Sequence, residues 1–164
     1  MSALEQLRQG FQHAFESVAE GWRHLRERTS QALTRFTQRE TGESAEQQLM
    51  IRSPRWGLLP AEIKEEKDKI VVRLEVPGME PDQFDIQVMG DTLVVHGEKV
   101  AEREQVGGRY YLLERAYGAF ERAIPLPVRV RETGAEATYR RGVLTIELPK
   151  ETAETGRRIP IRIG

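Results

Sequence analysis

Three histidines, His13, His24 and His96, are the residues best suited to moving protons or holding a metal, and nothing around them completes a site. No serine and carboxylate recur beside them as a nucleophilic triad needs, and their scatter does not give metal-ligand spacing. The chain has no cysteine, so thiolate ligands, cysteine nucleophiles and disulfides are all excluded. Gly107-Gly108 lacks the Lys-Ser/Thr ending of a phosphate loop. The many carboxylates alternate with arginine and lysine, as solvated faces do. No catalytic constellation is present, and neither a cofactor nor a metal is expected. The chemistry that remains is apolar binding, and two stretches are spelled for it. Ile159, Ile161 and Ile163 alternate around Pro160 in a short polar tail, so an extended backbone projects them the same way. Leu4, Leu7, Phe11, Phe15, Val18, Trp22, Leu25, Leu33 and Phe36 recur at three or four residues, with Thr29 filling the gap.

That second spacing predicts an amphipathic α-helix over residues 1–36. Ser2 and Glu5 match a capping box at its start, while Gly10 and Gly21 each cost it about 1 kcal/mol relative to alanine. Residues 37–55 are polar, with Gly42, Ser44 and a Glu-Gln-Gln run, and read as a flexible linker. An aromatic stripe on a tethered arm must be covered by something. Sister arms, unfolded protein and, less favoured, a membrane surface are the candidates.

From Trp56 the period changes to two. Ile63 opens an alternation within Pro60 to Glu66; Ile70, Val72, Leu74 and Val76 share the next face, and Pro77-Gly78 turns the chain. Phe84, Ile86 and Val88 follow, then a turn at Gly90-Asp91, then Leu93 and Val95. After a charged stretch from Val100 to Gly108, Arg109, Tyr110, Tyr111 and Leu112 are too apolar to be left in water. Phe120, Arg122, Ile124 and Leu126 continue one face of a strand, and an arginine there needs a carboxylate or carbonyl partner. Ala135, Ala137 and Tyr139 face one way before a corner at Arg140, Arg141 and Gly142, and Leu144, Ile146 and Leu148 line the strand that returns to Pro149. Short strands at this spacing imply an all-β antiparallel sandwich.

Composition fits one soluble domain with appendages. With 38% hydrophobic and 31% charged residues the chain affords one core, and its net charge of −1 argues against a nucleic-acid partner. No apolar run has the length of a membrane span or signal core, which makes the cytoplasm the expected location.

The order and wording of five segments resemble the small heat shock proteins and their alpha-crystallin domain, in the bacterial type. They are LEVPGM (Leu74 to Met79), TLVVHGEK (Thr92 to Lys99), YGAFERAIPLP (Tyr117 to Pro127), AEATYRRGVLTIELPK (Ala135 to Lys150) and Ile159-Pro160-Ile161. The resemblance covers roughly the last two thirds of the chain. It implies an immunoglobulin-like β-sandwich over 56–150, a helical N-terminal arm that helps assembly and client contact, and a C-terminal tail over 151–164. It also implies that Arg109 to Leu112 form a strand that pairs with a partner's first strand in a swapped dimer, and that Arg122 sits at a dimer or sheet interface. Ile159 with Ile161, or Ile161 with Ile163, would enter a neighbour's groove lined by Phe84, Ile86, Val88, Ala137 and Tyr139. The implied function is that of an ATP-independent chaperone, a holdase that forms a large homo-oligomer, binds unfolded clients and hands them to ATP-dependent chaperones or a disaggregase. The competing class is a co-chaperone-like sandwich module with one dedicated partner, which needs neither the aromatic arm nor the isoleucine tail.

Overall fold

The period-two segments fold as strands, and their apolar faces decide how the strands stack. The computed structural model describes residues 32–38, 44–102 and 107–151. In chain order these form β1 (Leu33–Thr37), α1 (Ala45–Arg52), β2 (Trp56–Leu58), β3 (Ala61–Glu65), β4 (Lys69–Glu75), β5 (Phe84–Met89), β6 (Thr92–Lys99), β7 (Gly118–Pro125), β8 (Glu136–Arg140) and β9 (Val143–Pro149). One sheet runs β2-β1-β7-β6-β5 and the other β3-β4-β9-β8. The architecture is a two-sheet antiparallel sandwich.

Ile70, Val72 and Leu74 of β4 and Leu144, Ile146 and Leu148 of β9 face Leu93 and Val95 of β6 and Phe120 and Ile124 of β7 in one buried cluster. Ladder register keeps these faces matched: Val72 lies opposite Ile146, and Leu93 opposite Ile124. A slip of one residue in either pair would turn every one of these side chains to water.

The β8–β9 corner is tighter than its composition suggests. Arg141 and Gly142 have φ of 53° and 80°, so both central residues of the turn are left-handed, the geometry whose twist suits a two-residue hairpin. Glycine adopts it freely, whereas Arg141 does so at a cost of about 1 kcal/mol. Gly142 also lies against Pro77, where an added Cβ would approach the proline ring at 3.1 Å.

Two local expectations are corrected. Leu33–Thr37 is a strand and not the end of a helix. On a helix Leu33 and Phe36 would share the apolar stripe; in the strand Thr34 and Phe36 point inward and Leu33 points out, because the free edge of β7 offers a backbone ladder and a hollow for one ring. The stretch expected to be a flexible linker carries α1, with Glu46 in its first turn and Arg52 in its last, as the helix dipole favours. Leu49 anchors it by packing with Ala101 and Tyr117. The arm residues Leu4, Leu7, Phe11, Phe15, Val18, Trp22 and Leu25, and the tail residues Ile159, Pro160, Ile161 and Ile163, lie outside the described residues.

Candidate functional site

Each sheet leaves one strand edge at the same end of the sandwich. Among the described residues β5 ladders only with β6, and β8 only with β9. Phe84, Ile86 and Val88 stand on the half-buried face of β5, alternating with exposed Asp85, Gln87 and Met89. Across the gap, the β8–β9 register sets Ala137 beside Ile146 and Tyr139 beside Leu144, so Ala137 and Tyr139 share the inner face.

Between these edges runs a cleft of about 410 Å³, with Ile86, Val88 and Ala137 on its walls and Ile146 and Leu148 beneath. Phe84 and Tyr139, further along the same two faces, pack ring against ring with their centroids 5.1 Å apart. The Tyr139 hydroxyl donates to the Val76 carbonyl at 2.8 Å and accepts from the Met79 amide at 3.3 Å, which fixes that ring. Gln87, Glu132 and Glu136 form a polar rim. Of the five residues read from the sequence, Ile86, Val88 and Ala137 line the cleft, while Phe84 and Tyr139 pack on each other. The floor residues Ile146 and Leu148 had been read as core only. Ile146 lies opposite Ala137 in the β8–β9 ladder, which carries it to the cleft as well.

Apart from the rim carboxylates Glu132 and Glu136, the described residues lining this cleft carry no titratable or nucleophilic side chain. The cleft offers apolar contact along its floor and unpaired backbone groups along both edges, which together suit an extended peptide with apolar side chains at alternate positions.

The other sequence-derived sites fall elsewhere. Arg109 to Leu112 form no strand; Tyr111 and Leu112 are 87% and 72% exposed, and Arg109 stacks 5.5 Å from the Tyr111 ring centroid. β3, which among the described residues bonds only to β4, is exposed at all five residues. Arg122 points into the sandwich and is 8% exposed. Its Nη1 donates to the Ala123 carbonyl at 3.4 Å, while its Nε has no partner among the described residues. Burial pushes the guanidinium pKa down, and a carbonyl rather than a carboxylate is what the domain supplies to it.

Residues 62–162 match the Hsp20/alpha crystallin family. The chain belongs to that family. The chain is 32% identical over 111 residues to small heat shock protein C4 of Rickettsia felis, an alignment spanning 68% of this chain and 65% of the relative. It is 33% identical over 104 residues to heat shock protein 16 of Schizosaccharomyces pombe, covering 62% of this chain and 73% of that protein. Among solved structures, a small heat-shock protein of Xylella fastidiosa with a distinct high-order structure superposes with a TM-score of 0.52 at 32% identity, over 65% of this chain and 98% of that one. Heat shock protein 16.0 of Schizosaccharomyces pombe gives a TM-score of 0.52 at 31% identity, over 63% and 97%. The two-sheet sandwich with its open β5 and β8 edges is therefore an alpha-crystallin domain. No helix among the described residues is long and apolar enough to cross a membrane.

Proposed function

We propose that this protein is an ATP-independent cytoplasmic holdase, which binds unfolding proteins through apolar surface, keeps them from aggregating and passes them to ATP-dependent chaperones or a disaggregase. The observation that carries the reading is the preformed apolar cleft between two edges left unladdered among the described residues, in a family whose named members include heat shock proteins. Such a surface recognises the property that unfolding proteins share, exposed apolar chain, and asks nothing of sequence.

The occupant proposed for the cleft at rest is the tail of a neighbouring subunit. Ile159 and Ile161 have the alternation that the cleft accepts, and Arg157, Arg158 and Arg162 around them complement Glu132 and Glu136 on the rim. Burying two isoleucines yields about 3 to 6 kcal/mol, whereas ordering each tail residue costs about 1 to 2 kcal/mol. One tail alone is barely held, although Pro160 stiffens it beforehand. Many tails acting together give a large assembly that still exchanges subunits.

Two exposed partners on this chain support a swapped dimer. Arg109 to Leu112 are apolar and unladdered, and β3 has a free edge; pairing the first with the second on another subunit would satisfy both. Arg122, with an unpaired Nε, is the residue assigned to an interface in that assembly. The aromatic arm from Leu4 to Leu25 is assigned to clients and sister arms.

The test is light scattering of a heat-labile globular protein warmed with and without this chain, with no nucleotide present. Suppression at near-equimolar subunits is the expected result. Unchanged scattering, with the chain itself folded, would remove the holdase reading in favour of a module with one dedicated partner.

A further inference from the structure

β7 has an edge site of its own, and β1 fills it. Phe36 is 2% exposed and its ring centroid lies 5.3 Å from that of Phe120, tilted by 49°. Glycines clear the space on three sides. A Cβ at Gly57 would meet the Phe36 ring at 2.7 Å, a Cβ at Gly97 would overlap the Phe120 ring, and Gly118, at φ of 118°, would bring one to 2.6 Å from the Thr37 carbonyl oxygen. The hollow is thus shaped for one aromatic ring on a strand running along β7.

The strand that fills it is weakly held. β1 and β7 are in register at two positions, Phe36 with Phe120 and Thr37 with Ala119, whereas β6 and β7 are in register at eight. β2 reaches the sheet only through β1. Beyond β1, Gln38 donates from Nε2 to the Ser53 carbonyl at 3.1 Å and hydroxyl at 3.0 Å, yet its Oε1 is buried with no partner among the described residues. What the site reads is an extended backbone and a single large apolar side chain, with no charge requirement, and an unfolded protein offers that combination repeatedly.

We propose that the β7 edge with its Phe120 hollow is a binding site for extended, aromatic-bearing segments of unfolded protein, and that β1 is an internal occupant displaced by them on warming. The proposal rests on the holdase reading and adds a place and a gate to it. Displacement of β1 frees a strand edge, so the client adds to the sheet through its backbone and seats one ring beside Phe120.

The chain has no cysteine, so Thr37→Cys with Ala119→Cys introduces one defined disulfide between registered neighbours, at a separation a disulfide spans. A photoreactive benzoylphenylalanine replaces Glu121, the exposed β7 residue just past the last registered pair. The probe is reduced, carboxymethylated lactalbumin, which stays unfolded. In the full-length reduced protein, warming should produce adducts between position 121 and the probe, and oxidation should abolish them. Equal adducts in both forms, or probe bound by the reduced form without adducts at 121, overturn the proposal. Adducts to a second copy of this chain in place of the probe also overturn it, by making β1 an exchanged strand. Should the reduced protein bind no probe and suppress no scattering, the holdase reading falls as well, a distinct result. Phe36→Ala gives a check that needs no disulfide: a loosened β1 should yield adducts at lower temperature, and an unshifted onset counts against displacement.

Discussion

β5 and β7 offer the same resource, a strand edge beside an apolar hollow, in opposite states. At β5 the edge is bare among the described residues and the hollow is a cleft between two sheets, with a floor of Ile146 and Leu148. At β7 the edge is covered by the chain's own Leu33–Thr37, and the hollow is full of Phe36. An open, rigid site suits a partner that is always at hand, such as a sister tail. A closed site suits one that must be bound only under stress. On the proposed reading the difference separates assembly from capture within one sheet, and it exposes each to a different perturbation.

The largest effect should come from the open edge. Ile159→Ala with Ile161→Ala removes both proposed anchors, and the particle should shrink toward dimers in size-exclusion chromatography with light scattering. Filling the cleft from the other side by Ala137→Trp should do the same while leaving the tail intact. If size is unchanged in both, the tail is not the link between subunits. Deleting residues 108–113 should go one step further and convert dimers into monomers by sedimentation, and an unchanged dimer mass would remove the strand swap. None of these changes touches β1.

The covered edge should answer in stability rather than size. Phe36→Ala empties a hollow bounded by Phe120 and Gly57, and a loss of about 3 kcal/mol in urea unfolding is expected, with the assembly still formed. A loss well under 1 kcal/mol would mean that β1 is already detached much of the time. A smaller effect belongs to the rim. Glu132→Gln with Glu136→Gln should weaken tail docking by no more than about 1 kcal/mol per exposed pair and make subunit exchange less sensitive to salt. Unaltered salt dependence would show that the arginines of the tail do not meet these carboxylates.

The two edges also differed in how much of them could be read from sequence. The faces of Phe84, Ile86 and Val88 and of Ala137 and Tyr139 were legible because they alternate cleanly, and alternation is a local signal, whereas their meeting across a groove was implied by the resemblance alone. The sandwich was legible too, through Ile70 to Val76 and Leu144 to Leu148. The closed site was not legible. In Leu-Thr-Arg-Phe-Thr the Leu33 and Phe36 spacing continues the helical stripe of the arm, while Thr34 and Phe36 suit a strand; the choice is made by β7, more than eighty residues away in the chain. α1 was hidden for a related reason. Leu49 is the buried anchor among its described side chains, and three apolar residues in a row, Leu49, Met50 and Ile51, leave no helical period to detect. The rim carboxylates were invisible as a group because Glu132 and Glu136 acquire a common purpose only once β5 lies across from them.

The smallest predicted effect bears on whether the open cleft is as rigid as its geometry implies. One wall, β8, is held at its end by the Arg141-Gly142 turn, and Arg141 sits there at a φ of 53° that side chains larger than asparagine resist. Asparagine tolerates this region, and Asn-Gly is the pair best suited to such a turn. Arg141→Asn should therefore raise stability by about 0.5 to 1 kcal/mol, seen as a melting temperature higher by a few degrees, on the order of 4 °C. Particle size should not change, since a wall already fixed by Tyr139 gains nothing for tail binding from a better turn. Tighter assembly in this variant would show instead that β8 moves in the parent protein. The open edge would then be gated too, and the contrast with β7 would be one of degree.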